Sequence, residues 1–109
     1  MNKLGDAALE ALKSANPGVE LSVIEDDSIG LFIVVRTPNL MEWRTYRAEA
    51  VDPSLRGKAM SKLVALILIS PSPAEFLAYI ETKPAALETV MGEVAELAGI
   101  SMQVSRRKL

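Results

Sequence analysis

The residues that could do chemistry in this chain are carboxylates, a serine beside a lysine, and a set of basic side chains. Glu25, Asp26 and Asp27 stand together and could bind a hard cation such as Ca²⁺. Calcium-binding loops, however, space their oxygen ligands along about 12 residues around a glycine, whereas this run is short and contiguous. It also lies between two predicted strands, where polar residues favour a turn. We therefore predict a polar hairpin turn and no metal site.

Ser61 beside Lys62 is a pair from which a nucleophile could be built, but Ser61 belongs to neither an S-x-x-K nor a G-x-S-x-G pattern. The Gly-rich patterns that bind phosphate do not occur. Histidine and cysteine are both absent, which removes the commonest general acid–base near neutral pH and the ligands of most zinc sites. We therefore predict no catalytic, cofactor-binding or metal-binding residue, and we expect a protein that is not an enzyme.

Charge is unevenly distributed along the chain. Residues 1–35 hold two bases and six acids, a net charge of −4, whereas residues 36–62 hold six bases and three acids, a net charge of +3. The basic segment could grip phosphates while Trp43 and Tyr46 stack on nucleotide bases. Both aromatic residues share a helical stripe with Leu40 and Ala50, so core packing is the better interpretation. The basic residues are Arg36, Arg44, Arg47, Arg56, Lys58 and Lys62.

Hydrophobic periodicity predicts an α+β fold in which these residues are carried by helices and a hairpin. An N-terminal helix comes first, a β-hairpin second, and then a compact bundle of about four helices around a central hydrophobic helix. Residues 1–99 are expected to form a single domain. The predicted bounds are helix 3–15, hairpin 19–36, and helices 39–51, 53–69, 73–82 and 84–98.

The hairpin is predicted from alternating apolar residues. In its first strand Val19, Leu21 and Val23 alternate with polar residues, which is typical of a half-buried strand. Its second strand has apolar residues on both faces, so we expect it to be covered more completely. One face of that second strand consists of Ile29, Leu31, Ile33 and Val35, and the other of Phe32 and Val34.

The predicted central helix, 53–69, is apolar on every side from Val64 to Ile69, so the other elements are expected to surround it. It is too short to cross a membrane. The flanking helices are expected to bury one stripe each, and two of them begin with the spacing of a capping box, Asn39 with Glu42 and Ser72 with Glu75. The stripes are Leu4, Ala8, Ala11, Leu12 and Ala15; Phe76, Leu77 and Ile80; and Leu87, Val90, Met91, Val94 and Leu97.

The C-terminal tail, 100–109, alternates apolar and polar residues before Arg106, Arg107 and Lys108. It could add a third strand to the hairpin or form an unpaired arm. An exposed hairpin edge could also pair with a second copy of the chain, which would give a homo-oligomer. The N-terminus carries no apolar stretch typical of a secretory signal, so a cytoplasmic location is expected.

From about Ile33 to Gly99 the chain resembles the tail assembly chaperones of long-tailed phages and prophages. The resemblance implies a role without catalysis or cofactor, in which the protein binds the tape measure protein and keeps that long helical chain soluble during tail assembly. A small nucleic-acid-binding or regulatory protein that uses residues 36–62 is the alternative. The resemblance is carried by Val35-Arg36-Thr37-Pro38, Glu42-Trp43-Arg44-Thr45-Tyr46-Arg47, Asp52-Pro53, Arg56, Ala59, Leu63-Val64, Pro73-Ala74-Glu75-Phe76 and Pro84.

Overall fold

Helices lie on both faces of a small antiparallel sheet. The computed structural model describes residues 1–100 and 105–108, and these contain five α-helices and three strands, which confirms the predicted α+β class. The strands lie in the order β1–β2–β3, so β2 is central. The helices are α1 (Asp6–Ala15), α2 (Leu40–Ala50), α3 (Arg56–Ile67), α4 (Pro73–Thr82) and α5 (Ala86–Leu97), and the strands are β1 (Leu21–Asp26), β2 (Leu31–Arg36) and β3 (Leu68–Ser70).

The polar turn between β1 and β2 lies later than predicted, because Glu25 and Asp26 belong to β1 and Ile29, predicted in the second strand, lies in the turn Asp27–Ile29. Asp26 caps a short 3-10 turn, because its Oδ1 accepts hydrogen bonds from the backbone N–H of Ser28, at 3.0 Å, and from the Ser28 hydroxyl. Gly30 ends the turn with φ 67°, a left-handed conformation that glycine adopts without steric cost. The turn therefore follows from local polar chemistry and one glycine.

Strand β2 is buried on both faces, as its sequence predicts. Leu31, Ile33 and Val35 pack against the helices of the main core. Phe32 and Val34 point to the opposite face and are also buried. Residues of α1 and of the preceding segment lie over that second face, where Leu9 and Val34 line one cavity and Leu12 and Phe32 line another. The sheet is thus the middle layer between α1 and the other helices.

The prediction that Val19 and Val23 lie on the buried face of the first strand is wrong. Val19 and Val23 are each 42% exposed, and the strand begins at Leu21. Ile24 is the buried residue of β1, and it lies opposite Ile33 on the main-core face. The alternating residues Val19, Leu21 and Val23 lie on the face of the sheet that α1 covers, and α1 covers that face only in part.

The predicted helix 53–69 is too long at both ends. Asp52 Oδ1 accepts hydrogen bonds from the backbone and hydroxyl of Ser54, and this local turn delays the start of α3 to Arg56. At the other end, Leu68–Ser70 leaves the helix to pair with β2, in the register Val34 with Ser70 and Val35 with Leu68. A two-stranded hairpin is only marginally stable by itself. Pairing with β3 gives β2 a second neighbouring strand, although the residues of β3 continue a helical periodicity.

Helix α3 is not surrounded on every side. Leu63, Val64 and Ile67 are buried, but Leu66 is 55% exposed. Three of the predicted stripes also need correction. Leu40 and Leu77 are exposed, and in α1 the half-buried residues are Leu9 and Leu12, whereas Ala8, Ala11 and Ala15 face solvent. The α5 stripe is confirmed, with Leu87, Val90, Met91 and Val94 buried and Leu97 packed at the edge of the core.

The alternating residues of the C-terminal tail, for which an added strand and an unpaired arm are the two alternatives, lie mostly outside the described part of the chain. Ile100 and residues 105–108 belong to no helix or strand. Within residues 1–100 and 105–108, no helix is both long enough and apolar enough to span a membrane.

Candidate functional site

A shallow apolar cleft runs between α2 and α3. We define the α2–α3 cleft by Met41 and Tyr46 from α2 and by Leu63 and Leu66 from α3, which line it together. Met41 is 71% exposed and Leu66 is 55% exposed, so both present apolar surface to water. The cavity measures about 120 Å³, well below the roughly 300–1,000 Å³ of typical small-molecule sites. The cleft is therefore too small to enclose a typical small-molecule ligand.

The sequence folds this way because Asn39 starts α2 with a complete capping box. The Asn39 side chain accepts from the backbone N–H of Glu42 at 2.8 Å, and Glu42 Oε1 accepts from the backbone N–H of Asn39 at 3.0 Å. The box sets the first turn of α2, and that turn carries Leu40 and Met41 outward. Leu40, the residue before Met41, is 64% exposed.

Arg36 joins β2, α2 and α3 at this end of the cleft. Its two terminal nitrogens donate to both carboxylate oxygens of Glu42, at 2.8 and 2.6 Å, and Nη2 also donates to the Leu66 carbonyl at 3.2 Å. The side chains of Arg36 and Glu42 are only 27% and 15% exposed. A bidentate pair with so little exposure positions both helices beside β2.

The same contacts shift the pKa values of the pair. Hydrogen bonds from Arg36, with a further one from the Asn39 backbone, lower the pKa of Glu42 to about 2, although desolvation opposes them. The hydrogen bond to Glu42 likewise raises the pKa of Arg36. Both groups are therefore charged throughout the physiological pH range, and neither is poised to exchange a proton with a substrate.

Two of the six basic residues in segment 36–62 are paired with carboxylates. Arg36 is bound by Glu42, and Lys62 Nζ lies 3.1 Å from Glu49 Oε1 at the rim of the cleft. Arg56 Nε lies 3.5 Å from the Ala50 carbonyl oxygen. The other three, Arg44, Arg47 and Lys58, are exposed on the surface.

The aromatic pair of α2 packs against the core. Trp43 and Tyr46 are partly buried, and their ring centroids lie 5.3 Å apart. Their rings are thus engaged by each other and by the protein interior. This placement agrees with the packing interpretation drawn from the helical stripe.

The acidic run at the hairpin turn is engaged by other groups of the chain. Lys3 Nζ lies 2.9 Å from Asp27 and 3.4 Å from Glu25, and Asp26 caps the turn. Among the residues that the structure describes, no cluster of three acidic side chains is arranged to hold a metal ion. Lys62, which would have to activate Ser61 in a serine–lysine pair, instead contacts Glu49.

The sequence does not reveal the α2–α3 cleft, because it predicts Leu40 in a buried stripe and Leu66 in a helix that the other elements surround. A signal was present in Leu40-Met41, two consecutive apolar residues directly after a helix cap, only one of which can point at the core. Comparisons of the chain with protein-family models, with curated proteins and with solved structures find no match.

Proposed function

We propose that this protein is a non-enzymatic tail assembly chaperone of a phage or prophage, which binds the tape measure protein and keeps it soluble during tail assembly. The observation that supports this most directly is the α2–α3 cleft, which leaves Met41 and Leu66 exposed beside Leu40. Grouped apolar side chains on a protein surface commonly mark a site of protein interaction. Two of the residues that carry the resemblance, Arg36 and Glu42, form an ion pair at one end of this cleft.

The proposed mode of binding is the docking of an amphipathic helix along α2 and α3. Such helices use apolar residues spaced three and four apart as anchors in a hydrophobic groove. Met41 suits a partner of varied sequence, because its flexible thioether adapts to different shapes. The ion pair between Lys62 and Glu49 at the rim leaves little net charge there, so binding would depend mainly on apolar contact.

Co-purification tests the proposal. The chain is co-expressed with the longest coiled-coil protein encoded nearby, and the complex is isolated at 50 mM and at 500 mM salt. We expect co-elution at both concentrations, and we expect the partner to be insoluble when it is expressed without the chain. The double substitution Met41→Glu with Leu66→Glu should abolish co-elution. Leu77→Glu is the matched control, since Leu77 is 43% exposed on α4 and does not line the cleft.

The salt series also separates the proposal from the nucleic-acid alternative. Binding to phosphates releases counterions, so it weakens steeply as salt rises. Retention on nucleic acid that high salt abolishes, without co-elution of the coiled-coil protein, would overturn the chaperone proposal. The pairing of Arg36 and Lys62 with carboxylates makes the alternative weaker, because it reduces the free positive charge of the segment.

A further inference from the structure

Strand β1 forms the outer edge of the sheet. In the part of the chain that the structure describes, β2 is its only pairing partner. Thr37 N donates to the Glu20 carbonyl at 3.3 Å, which identifies Glu20 and Thr37 as a hydrogen-bonded pair. Because such pairs alternate along antiparallel strands, the backbone groups of Leu21, Val23 and Glu25 point outward. These groups are available to an added strand.

A cavity flanks this edge on the α1 face of the sheet. It measures about 700 Å³ and lies between α1 and the segment that leads into β1. Its apolar lining comes from Leu9, Val19, Leu21, Val23 and Val34, and its charged lining from Asp6, Glu10, Lys13 and Glu20. Val19, Leu21 and Val23 stand on alternate positions of the chain. Val19 and Val23 are each 42% exposed, so the apolar side chains of an added strand would bury them further.

A second cavity flanks the edge on the α5 face. It measures about 320 Å³, and the carboxylates of Glu25, Asp26 and Glu93 line it. None of the described residues around it is basic. Lys3 binds Glu25 from the other face, and Asp26 Oδ1 caps the turn, so Glu93 and the second carboxylate oxygen of Asp26 are left to attract a cation. The two sides of the edge therefore differ in chemistry: the α5 side is acidic without a base, whereas the α1 side combines exposed apolar residues with charges of both signs.

We propose that the β1 edge binds an extended segment of another protein in which aliphatic residues alternate with lysine or arginine. Added as a strand, such a segment would direct its aliphatic side chains into the α1 cavity and its basic side chains towards the acidic cavity, since successive side chains of a strand point to opposite faces. Backbone hydrogen bonds would supply affinity, and the two cavities would supply selectivity. This inference is independent of the α2–α3 cleft and of the proposed function.

Charge makes a second copy of β1 a poor occupant. The strand and its flanks carry Glu20, Glu25 and Asp26 and no base. In an antiparallel pairing of two copies centred on Val23, Glu20 of one would face Asp26 of the other, and like charges placed opposite each other are destabilising. The homo-oligomer expected from the sequence is therefore one of the outcomes that the test distinguishes.

The test uses a nine-residue synthetic peptide that alternates valine and lysine, with both ends blocked. Binding to the full chain is measured by fluorescence anisotropy, and amide hydrogen exchange is measured with and without peptide. We expect binding, and we expect slower exchange at Leu21, Val23 and Glu25. A peptide of the same composition with its lysines contiguous, and one that alternates valine and glutamate, should bind at least tenfold more weakly.

Variants check the two sides of the site. Glu93→Gln should weaken peptide binding about twofold to fivefold, the range of one exposed ion pair, whereas Glu96→Gln on the same helix should leave it unchanged. Val23→Lys should weaken binding more, because it adds a positive charge to the apolar side of the edge. Each variant is first confirmed as folded by circular dichroism.

Three results would overturn the inference. The first is equal binding of the peptide with contiguous lysines, which would indicate simple charge attraction. The second is binding that leaves exchange at Leu21, Val23 and Glu25 unchanged. The third is exchange at those amides that becomes slower as the protein concentration rises in the absence of peptide. Such slowing would identify a second copy as the occupant.

Discussion

Glu42 is the residue through which the first turn of α2 is joined to β2 and α3. It accepts from Arg36 through both oxygens and from the Asn39 backbone, and Arg36 in turn reaches the Leu66 carbonyl. Removing one partner of a pair with so little exposure leaves the other without compensation. The contribution of this residue to stability is therefore larger than that of an ordinary surface ion pair.

We expect Glu42→Gln to lower the free energy of unfolding by about 2 kcal/mol at pH 7, the range of charge-assisted hydrogen bonds. Because the pKa of Glu42 is lowered from 4.5 to about 2 in the folded state, its stabilising effect is complete above pH 4.5 and is lost as pH falls towards 2. Urea unfolding of both proteins between pH 7 and pH 2 measures this difference. A gap that stayed constant across the range would contradict the assignment. Glu10→Gln is the control, since Glu10 and Lys13 are largely exposed.

Tyr79 is a second residue whose side chain links two elements that are distant in sequence. Its hydroxyl donates to the Ile29 carbonyl at 2.7 Å and so connects α4 to the hairpin turn. Burial, and then the charge of Asp26, raise the pKa of Tyr79. Tyr79→Phe should reduce the free energy of unfolding by about 1 kcal/mol.

Chemical denaturation at pH 7 measures the effect of Tyr79→Phe, and Tyr46→Phe is a matched control on α2. The contribution of Tyr79 should be complete below pH 10 and decline as pH rises beyond it, because the folded state holds the phenolic proton more tightly than the unfolded state does. If both variants proved equally stable, the bond to Ile29 would carry no measurable energy.

At the scale of the element, α3 has one buried face and one exposed face although nearly all of its last residues are apolar. Ile67 is fully buried, whereas its neighbour Leu66 is 55% exposed. Ile67→Ala should therefore cost about 2–5 kcal/mol, through lost burial and the cavity left behind. Leu66→Ala should change stability by no more than about 0.5 kcal/mol.

Thermal or urea unfolding of the two variants of α3 distinguishes a half-exposed helix from one that is surrounded. Similar large losses for both would show that Leu66 is buried in solution, for example in an oligomer. Sedimentation measured alongside would identify such an oligomer directly.

At the scale of the whole molecule, the sheet lies between two layers of helix that differ greatly in burial. The main core joins β2, α3, α4 and α5, whereas α1 contains no fully buried residue. The coverage of Phe32 and Val34 nevertheless places α1 on the second face of the sheet. The α1 layer should therefore be the weaker of the two.

Leu9→Ala combined with Leu12→Ala tests this layer. We expect the pair to lower the free energy of unfolding by about 2 kcal/mol, as half-buried side chains are removed from Phe32 and Val34. Ala8→Ser combined with Ala11→Ser should have little effect, because both alanines face solvent. Urea unfolding gives the comparison. If the alanines proved the sensitive pair, α1 would be rotated relative to the structure.

The sequence by itself determined most of the local structure. Polar and glycine residues specified the hairpin turn, Asn39 with Glu42 specified the start of α2, and strict periodicity specified the α5 stripe from Leu87 to Val94. These features depend on residues close together in the chain, so their chemistry can be read directly. The double-sided burial of β2 was predicted for the same reason.

Tertiary structure decided what local patterns leave open. Leu68–Ser70 has helical neighbours and apolar composition, yet it forms β3 because β2 has a free edge there. Which apolar residues stay exposed, such as Met41 and Leu66, depends on how many neighbours surround each helix, and periodicity does not contain that information. The α2–α3 cleft and the two cavities beside β1 arise between separate elements, so only the packing of those elements revealed them.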